Sequence, residues 1–245
     1  MGHESVRAAD VVKLRRRRVL AASLAGVLAL LAWWQIDEDS LRRLAFRPGT
    51  GISESAVEDL QTLVLLAAIA TAIALGRSVP SRKFGYWSVA LVLIFVLGEE
   101  VSWGQHYFGW AAPEGWTAIN SQNETTLHNL EPFQERFWFL GRFNTLFVVP
   151  AVGSIVLAIA WVVVPRRLAW LVPDWSVAPL FLACAAIHWG TALAQSRWGL
   201  PGNATLTVTD WEIGELLLYL GLLGWLQNHR LESVPAPPDR PASPR

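Results

Sequence analysis

Charge is scarce in this chain. Only 16% of its 245 residues are Asp, Glu, Lys or Arg, against about 25% in soluble domains, too few to cover a water-facing surface. The twenty basic and twenty acidic residues cancel, so the electrostatic footprint of a nucleic-acid binder is missing. Cysteine occurs once, as Cys184 inside an apolar run. That excludes an intramolecular disulfide and with it a disulfide-stapled secreted fold, and leaves the redox compartment open. No G-x-S-x-G follows a strand pattern, and neither H-E-x-x-H nor H-x-x-E-H occurs, so the common hydrolase and zincin constellations are absent. No internal repeat is visible, which removes the inverted-repeat signature of many secondary transporters.

Apolar length is what the chain has. Hydrophobic residues make up 53%, and Trp alone occurs 14 times; Trp favours membrane–water interfaces. A bilayer core needs about 20 apolar residues per helix. Six segments qualify: Val19–Ile36, Leu60–Gly76, Phe84–Gly98 continuing to Gly104, Phe143–Pro165, Trp175–Ser196 and Thr209–Asn228. The expected fold is all-α, a polytopic bundle of six transmembrane helices forming one domain over 1–233. Residues 234–245, with five prolines, are expected to be a disordered cytoplasmic tail. The first segment ends Ala32-Trp33-Trp34-Gln35-Ile36, without a small-x-small cleavage site, and reads as a retained span. Pro150 interrupts the fourth span and is expected to kink it.

Orientation follows from Lys and Arg. With the N-terminus inside, fourteen of the twenty basic residues fall on the cytoplasmic side, Arg15–Arg18 among them. The expected topology is therefore N-in and C-in, in an inner (plasma) membrane. The outer loop between the third and fourth spans, Gln105–Gly141, is long and aromatic, with Trp110, Trp116, Phe133 and Trp138. It is expected to fold back over the helix ends, with Gly109, Pro113, Gly115 and Pro132 as turn-makers.

Ionisable groups inside spans are costly and mark function by default. Glu99 and Glu100, His188, and Glu212 and Glu215 all sit in the outer parts of their spans. Glu99, His188 and Glu215 come out roughly 7–12 Å below the outer interface at 1.5 Å per residue. The inner halves of these helices carry nothing comparable. Spacings of i, i+3, i+7 put Glu99, Ser102 and His106 on one face, His188, Thr191 and Gln195 on another, and Glu212, Glu215 and Tyr219 on a third. The three stripes are expected to face one cavity that opens outward, roofed by Glu124, His128 and Asn129 from the loop.

Three pieces of sequence carry a resemblance: Gly98-Glu99-Glu100-Val101-Ser102-Trp103-Gly104-Gln105, then Asn120-Ser121-Gln122-Asn123-Glu124, then Leu127-His128-Asn129. The chain resembles a family of uncharacterised bacterial multi-pass membrane proteins with the pattern G-E-E-x-S-W-G-Q, N-x-Q-x-E, L-H-N and an acidic start to the last helix. The resemblance implies a membrane fold and brings no activity with it; the last helix here is less acidic than the family's.

Three functions fit these residues. One is a membrane-embedded enzyme on a lipid-like substrate, with Glu99, Glu100, Ser102 and Glu215 as catalytic candidates. A divalent metal would then be held by Glu124, His128, His188 and Glu212, which offer hard and borderline ligands. The second is a transporter or proton-coupled permease. The third is a non-catalytic module whose polar network holds the bundle and presents the loop to membrane lipids or a partner.

Overall fold

A computed structural model of the chain describes the backbone of residues 11, 13–14, 16–29, 56–116, 118–120, 124–127, 130, 145–198 and 209–233. It is all-helical. Among the described residues the strand-like pairing is a single isolated bridge, Asn120 with Leu130. Residues 16–29 form α1. It is followed by α2 (Ala56–Ser78), α3 (Lys83–Glu100), α4 (Thr145–Val163), α5 (Ala178–Trp198) and α6 (Thr209–Ser233). Five of the six apolar segments thus match helices from α2 to α6. Of the first, residues 30–36 lie outside the described residues, as do 131–144 and the tail 234–245. Helix α4 continues through Pro150; with Pro at its sixth position, only one turn precedes the missing N–H.

In space the helices run in the order α3, α2, α6, α5, α4. Side-chain pairs fix the directions of α2, α3, α5 and α6. Gln61 meets Glu212 and Thr71 meets Gln227, so α2 and α6 are parallel. Tyr86 meets His229 and Glu100 meets Tyr219, so α3 opposes α6. Ser176, just before α5, meets Asn228, while His188 lies against Gly214, so α5 also opposes α6. The α5–α6 seam is close because α6 turns glycines towards it. A Cβ on Gly221 would stand 2.8 Å from the Phe181 ring, and one on Gly224 would stand 3.0 Å from Val177. Small residues that let helices approach are a frequent membrane packing device.

Apolar side chains form the core and also cover much of the outside. Leu63 of α2, Phe84, Leu91 and Val92 of α3, and Val156, Val162 and Val163 of α4 are all exposed. Gln61, Thr71, Glu99, Ser154, His188, Asn228 and His229 are buried. Val57–Ser78 and Pro80–Glu100 are long and apolar enough to cross a membrane, and Val149–Val163 and Ala178–Gly190 are shorter apolar helices.

Candidate functional site

The third span was expected to continue as helix to Gly104; it stops at Glu100. Ser102, Trp103 and Gly104 have φ of 48°, 52° and 86°, three consecutive left-handed residues, of which only the last is the glycine that adopts this region freely. The reversal folds the Trp103 ring back onto α3. A Cβ on Gly98 would stand 2.8 Å from that ring, and Trp103 Nε1 donates to Glu99 Oε1 at 2.8 Å. The stripe Glu99–Ser102–His106 therefore does not exist as a helical face. Ser102 is buried in the turn, and the His106 side chain lies outside the described residues.

The loop closes on this turn. The Leu127 backbone N–H donates to Glu99 Oε2 at 2.7 Å. Thr125 Oγ1 donates to the Ser102 carbonyl at 2.8 Å, and the Thr125 N–H donates to Gln105 Oε1 at 2.8 Å. Asn120 staples the loop to itself: its Nδ2 donates to the Thr126 carbonyl at 3.0 Å, and its Oδ1 accepts from the Glu124 N–H at 3.2 Å. Glu124 is buried there; His128 and Asn129 lie outside the described residues. The three motif pieces thus meet, and Gly98, Glu99, Trp103, Gly104, Gln105, Asn120 and Leu127 each have a conformational task.

Glu100 turns the other way, towards α6. Tyr219 Oη donates to Glu100 Oε1 at 2.7 Å. One helical turn earlier on α6 is Glu215, which senses the charges of Glu100, Glu212 and Glu58. Glu212 Oε2 accepts from Gln61 Nε2 at 2.9 Å, and the Glu212 carbonyl accepts from the same nitrogen at 2.8 Å. Four carboxylates from α2, α3 and α6 are thus gathered at one end of the bundle. Glu215 has neither a hydrogen-bond nor an ion-pair partner among the described residues.

His188 meets α6 from the α5 side. Its ring packs on Gly214, so near that a Cβ there would be 2.6 Å from Cε1. Gly214 is one residue, about 100° around α6, from Glu215. His188 Nδ1 lies 3.0 Å from the Cys184 carbonyl and must carry the proton, because a carbonyl oxygen only accepts. Nε2 is buried without a partner among the described residues. Ser154 Oγ donates to Cys184 Sγ at 3.1 Å. The side chains of Thr191 and Gln195 lie outside the described residues.

The opposite end of the bundle, expected to carry nothing comparable, has a polar layer of its own. Tyr86 Oη and His229 Nδ1 are 2.8 Å apart. Gln227 Nε2 donates to Thr71 Oγ1 at 3.1 Å. Asn228 Nδ2 donates to Asp174 Oδ2 at 3.2 Å and to Ser176 Oγ at 3.0 Å, and Arg16 pairs with Asp174 at 3.6 Å. A count of charged residues misses this layer, because Tyr, Gln, Asn and Thr near helix ends read as solvated until packing buries them. The signal was the run Gln227-Asn228-His229 closing the apolar stretch that follows Glu215.

No group of three or more His, Cys, Asp or Glu side chains is placed to hold a metal ion among the described residues. Of the four ligand candidates, Glu124 lies in the loop, Glu212 faces α2 and His188 faces Gly214, while His128 is not described. No family model matches the chain, and no curated protein or solved structure shows significant similarity to it.

Proposed function

We propose that this chain is a multi-pass protein of the inner membrane, with six spans and both termini cytoplasmic. It works as a permease for protons or a cationic ligand, with the carboxylates between α2, α3 and α6 as its outward-facing site. The opposed directions of α2 and α3 and of α5 and α6, apolar outward faces and the excess of Lys and Arg on one side support the topology. The motif resemblance to multi-pass bacterial proteins points the same way.

The observation that carries the function is Glu215. Its carboxylate stands among those of Glu58, Glu100 and Glu212, and it makes no hydrogen bond or ion pair among the described residues. Close carboxylates in a low-dielectric setting are stabilised by a proton or a cation. Polar groups continue along the same seams: Gln61 and Thr71 on α2 are ten residues, about 15 Å, apart, and each meets α6. That gives a pathway polar stations at both ends.

This reading is preferred to a metal-dependent enzyme acting on a lipid because two of that enzyme's catalytic candidates serve the loop. Glu99 accepts from Trp103 and Leu127, and the Ser102 carbonyl accepts from Thr125. Proteoliposomes enclosing a pH-sensitive dye, challenged with a panel of amines and inorganic cations, test the proposal. At least one class should drive proton counterflow in wild type, and Glu215→Gln should abolish it. Protein that moves no protons with any of the panel, yet turns over a lipid head group in the same vesicles, would replace the permease with the enzyme.

A further inference from the structure

At the end of the bundle that carries the Tyr86–His229 pair, the start of α3 meets the connection between α4 and α5. Trp170, in the 3-10 helix Arg166–Leu171, lies on Gly85 and leaves no room there for a Cβ. Its ring centroid is 5.4 Å from that of Tyr86, and the Arg82 guanidinium carbon stands over it at 5.4 Å. Arg82 is exposed and still held in place, because an indole face attracts a cation. In a 3-10 helix, residues i and i+3 eclipse, so Arg167 shares an edge with Trp170 and comes to the side of Arg82. Lys83 follows Arg82 directly, its Nζ 5.0 Å from the Phe84 ring centroid.

These cations have no answering charge. Arg77, Arg82, Lys83 and Arg167 are all exposed, and none makes an ion pair among the described residues. Asp174, the carboxylate that follows Trp170 in the chain, is committed to Ser176, Asn228 and Arg16. Helix α3 begins here without an acidic residue in its first turn and without a side-chain cap, so its dipole adds to the positive field. The same two segments expose apolar side chains, Phe84 at 79% and Leu168 and Leu171 at 40% each. A positive corner edged by apolar side chains fits a molecule with an anionic head and an apolar body.

We propose that the corner formed by Arg82, Trp170 and Arg167 binds the phosphate head group of an anionic phospholipid, with Lys83 beside it. On the topology proposed above this lipid belongs to the cytoplasmic leaflet; the carboxylate cluster plays no part. A guanidinium fork suits phosphate oxygens. Stacking on Trp170 restricts the Arg82 side chain beforehand, so less entropy is lost when the head group arrives. A zwitterionic lipid brings a quaternary ammonium group that the unpaired cations repel, which fixes the lipid class as anionic.

The test is thermal unfolding of the purified full-length protein in an uncharged detergent at constant pH and ionic strength. The additions are short-chain phosphatidylglycerol, short-chain phosphatidylcholine, inorganic phosphate and oligoglutamate. Phosphatidylglycerol should raise Tm in a concentration-dependent way, and the other three should not. Arg82→Gln should weaken the apparent affinity by about tenfold or more. Trp170→Leu, which keeps every charge and removes the stacking face, should do the same. Lys13→Gln removes a charge three residues before Arg16 and should change the affinity far less. No response to phosphatidylglycerol, or an equal response to any of the other three additions, would overturn the proposal. Equal losses in Lys13→Gln and Arg82→Gln would overturn it too, since general surface charge would then account for the binding. If Trp170→Leu does not fold, Arg82→Lys, which keeps the charge without the planar fork, is read in its place and should also lose affinity. Phosphatidylglycerol binding by protein whose position 81 is labelled from outside would overturn the proposed orientation and leave the site standing. Position 81 protected, with no response to phosphatidylglycerol, would do the reverse.

Discussion

The Glu99 carboxylate and the Leu127 backbone N–H are 2.7 Å apart although 28 residues separate them in the chain. Through this contact the end of α3 holds the loop that follows it. The second oxygen of the same carboxylate takes the Trp103 indole, so one side chain fixes both the reversal of the chain and the return of the loop. Glu100, its neighbour, points to α6 instead. The two adjacent glutamates therefore divide their tasks, one for conformation and one for the carboxylate cluster.

Glu99→Gln should separate these tasks. The amide retains one acceptor and places an NH2 where the other oxygen accepted a bond, at a cost of about 1–3 kcal/mol. The expected outcome is a lower Tm and faster hydrogen exchange at the Leu127 amide, with proton counterflow retained. Unchanged exchange at Leu127 would refute the latch.

Gly98→Ala places a methyl 2.8 Å from the Trp103 ring. The ring must move and release Glu99, costing about 1–3 kcal/mol. In the Trp103→Leu background the same substitution should cost far less, since the obstructing ring is gone. Additive costs in the double-mutant cycle would show that the ring does not rest on Gly98.

Gly221→Ala tests the α5–α6 seam. Its methyl would meet the Phe181 ring at 2.8 Å, and Phe181 is fully buried. A loss of about 1–3 kcal/mol is expected for such overpacking, partly recovered by Phe181→Leu. Thermal unfolding of the three variants is the measurement.

Tyr219→Phe removes the donor to Glu100. A hydrogen bond to a charged group contributes about 1.5–3 kcal/mol, so the variant should unfold at lower temperature. Placed beside Glu100→Gln, it should show strong non-additivity; two independent losses would mean the bond contributes nothing.

The topology can be tested by single cysteines at Ser81 and Glu114 in a Cys184→Ser background. An impermeant thiol reagent added outside cells should label the position at 114 and spare the one at 81. The reverse pattern would invert the bundle, and equal labelling would end the six-span reading.

Composition and periodicity alone determined the helical class and placed the boundaries of α2 to α6 within a few residues. Scarce charge and long apolar runs leave a chain few alternatives to helices with apolar outer faces. The sequence also singled out Glu99, Glu100, Glu212 and Glu215, because a carboxylate within an apolar run is conspicuous in any frame. Which of them act together was a tertiary matter. Helical phase extended past Glu100 assigned Ser102 to a face with Glu99, and three left-handed residues cancelled that face. Gly98 opened the motif and Gly214 carried no signal, and for both only the facing ring of Trp103 or His188 shows why a Cβ is excluded. Gln61 and the Tyr86–His229 layer stayed invisible for a related reason. An uncharged polar side chain reveals its energetic weight only when a neighbouring helix shuts out water, and helix order α3, α2, α6, α5, α4 is set by packing between segments far apart in the chain.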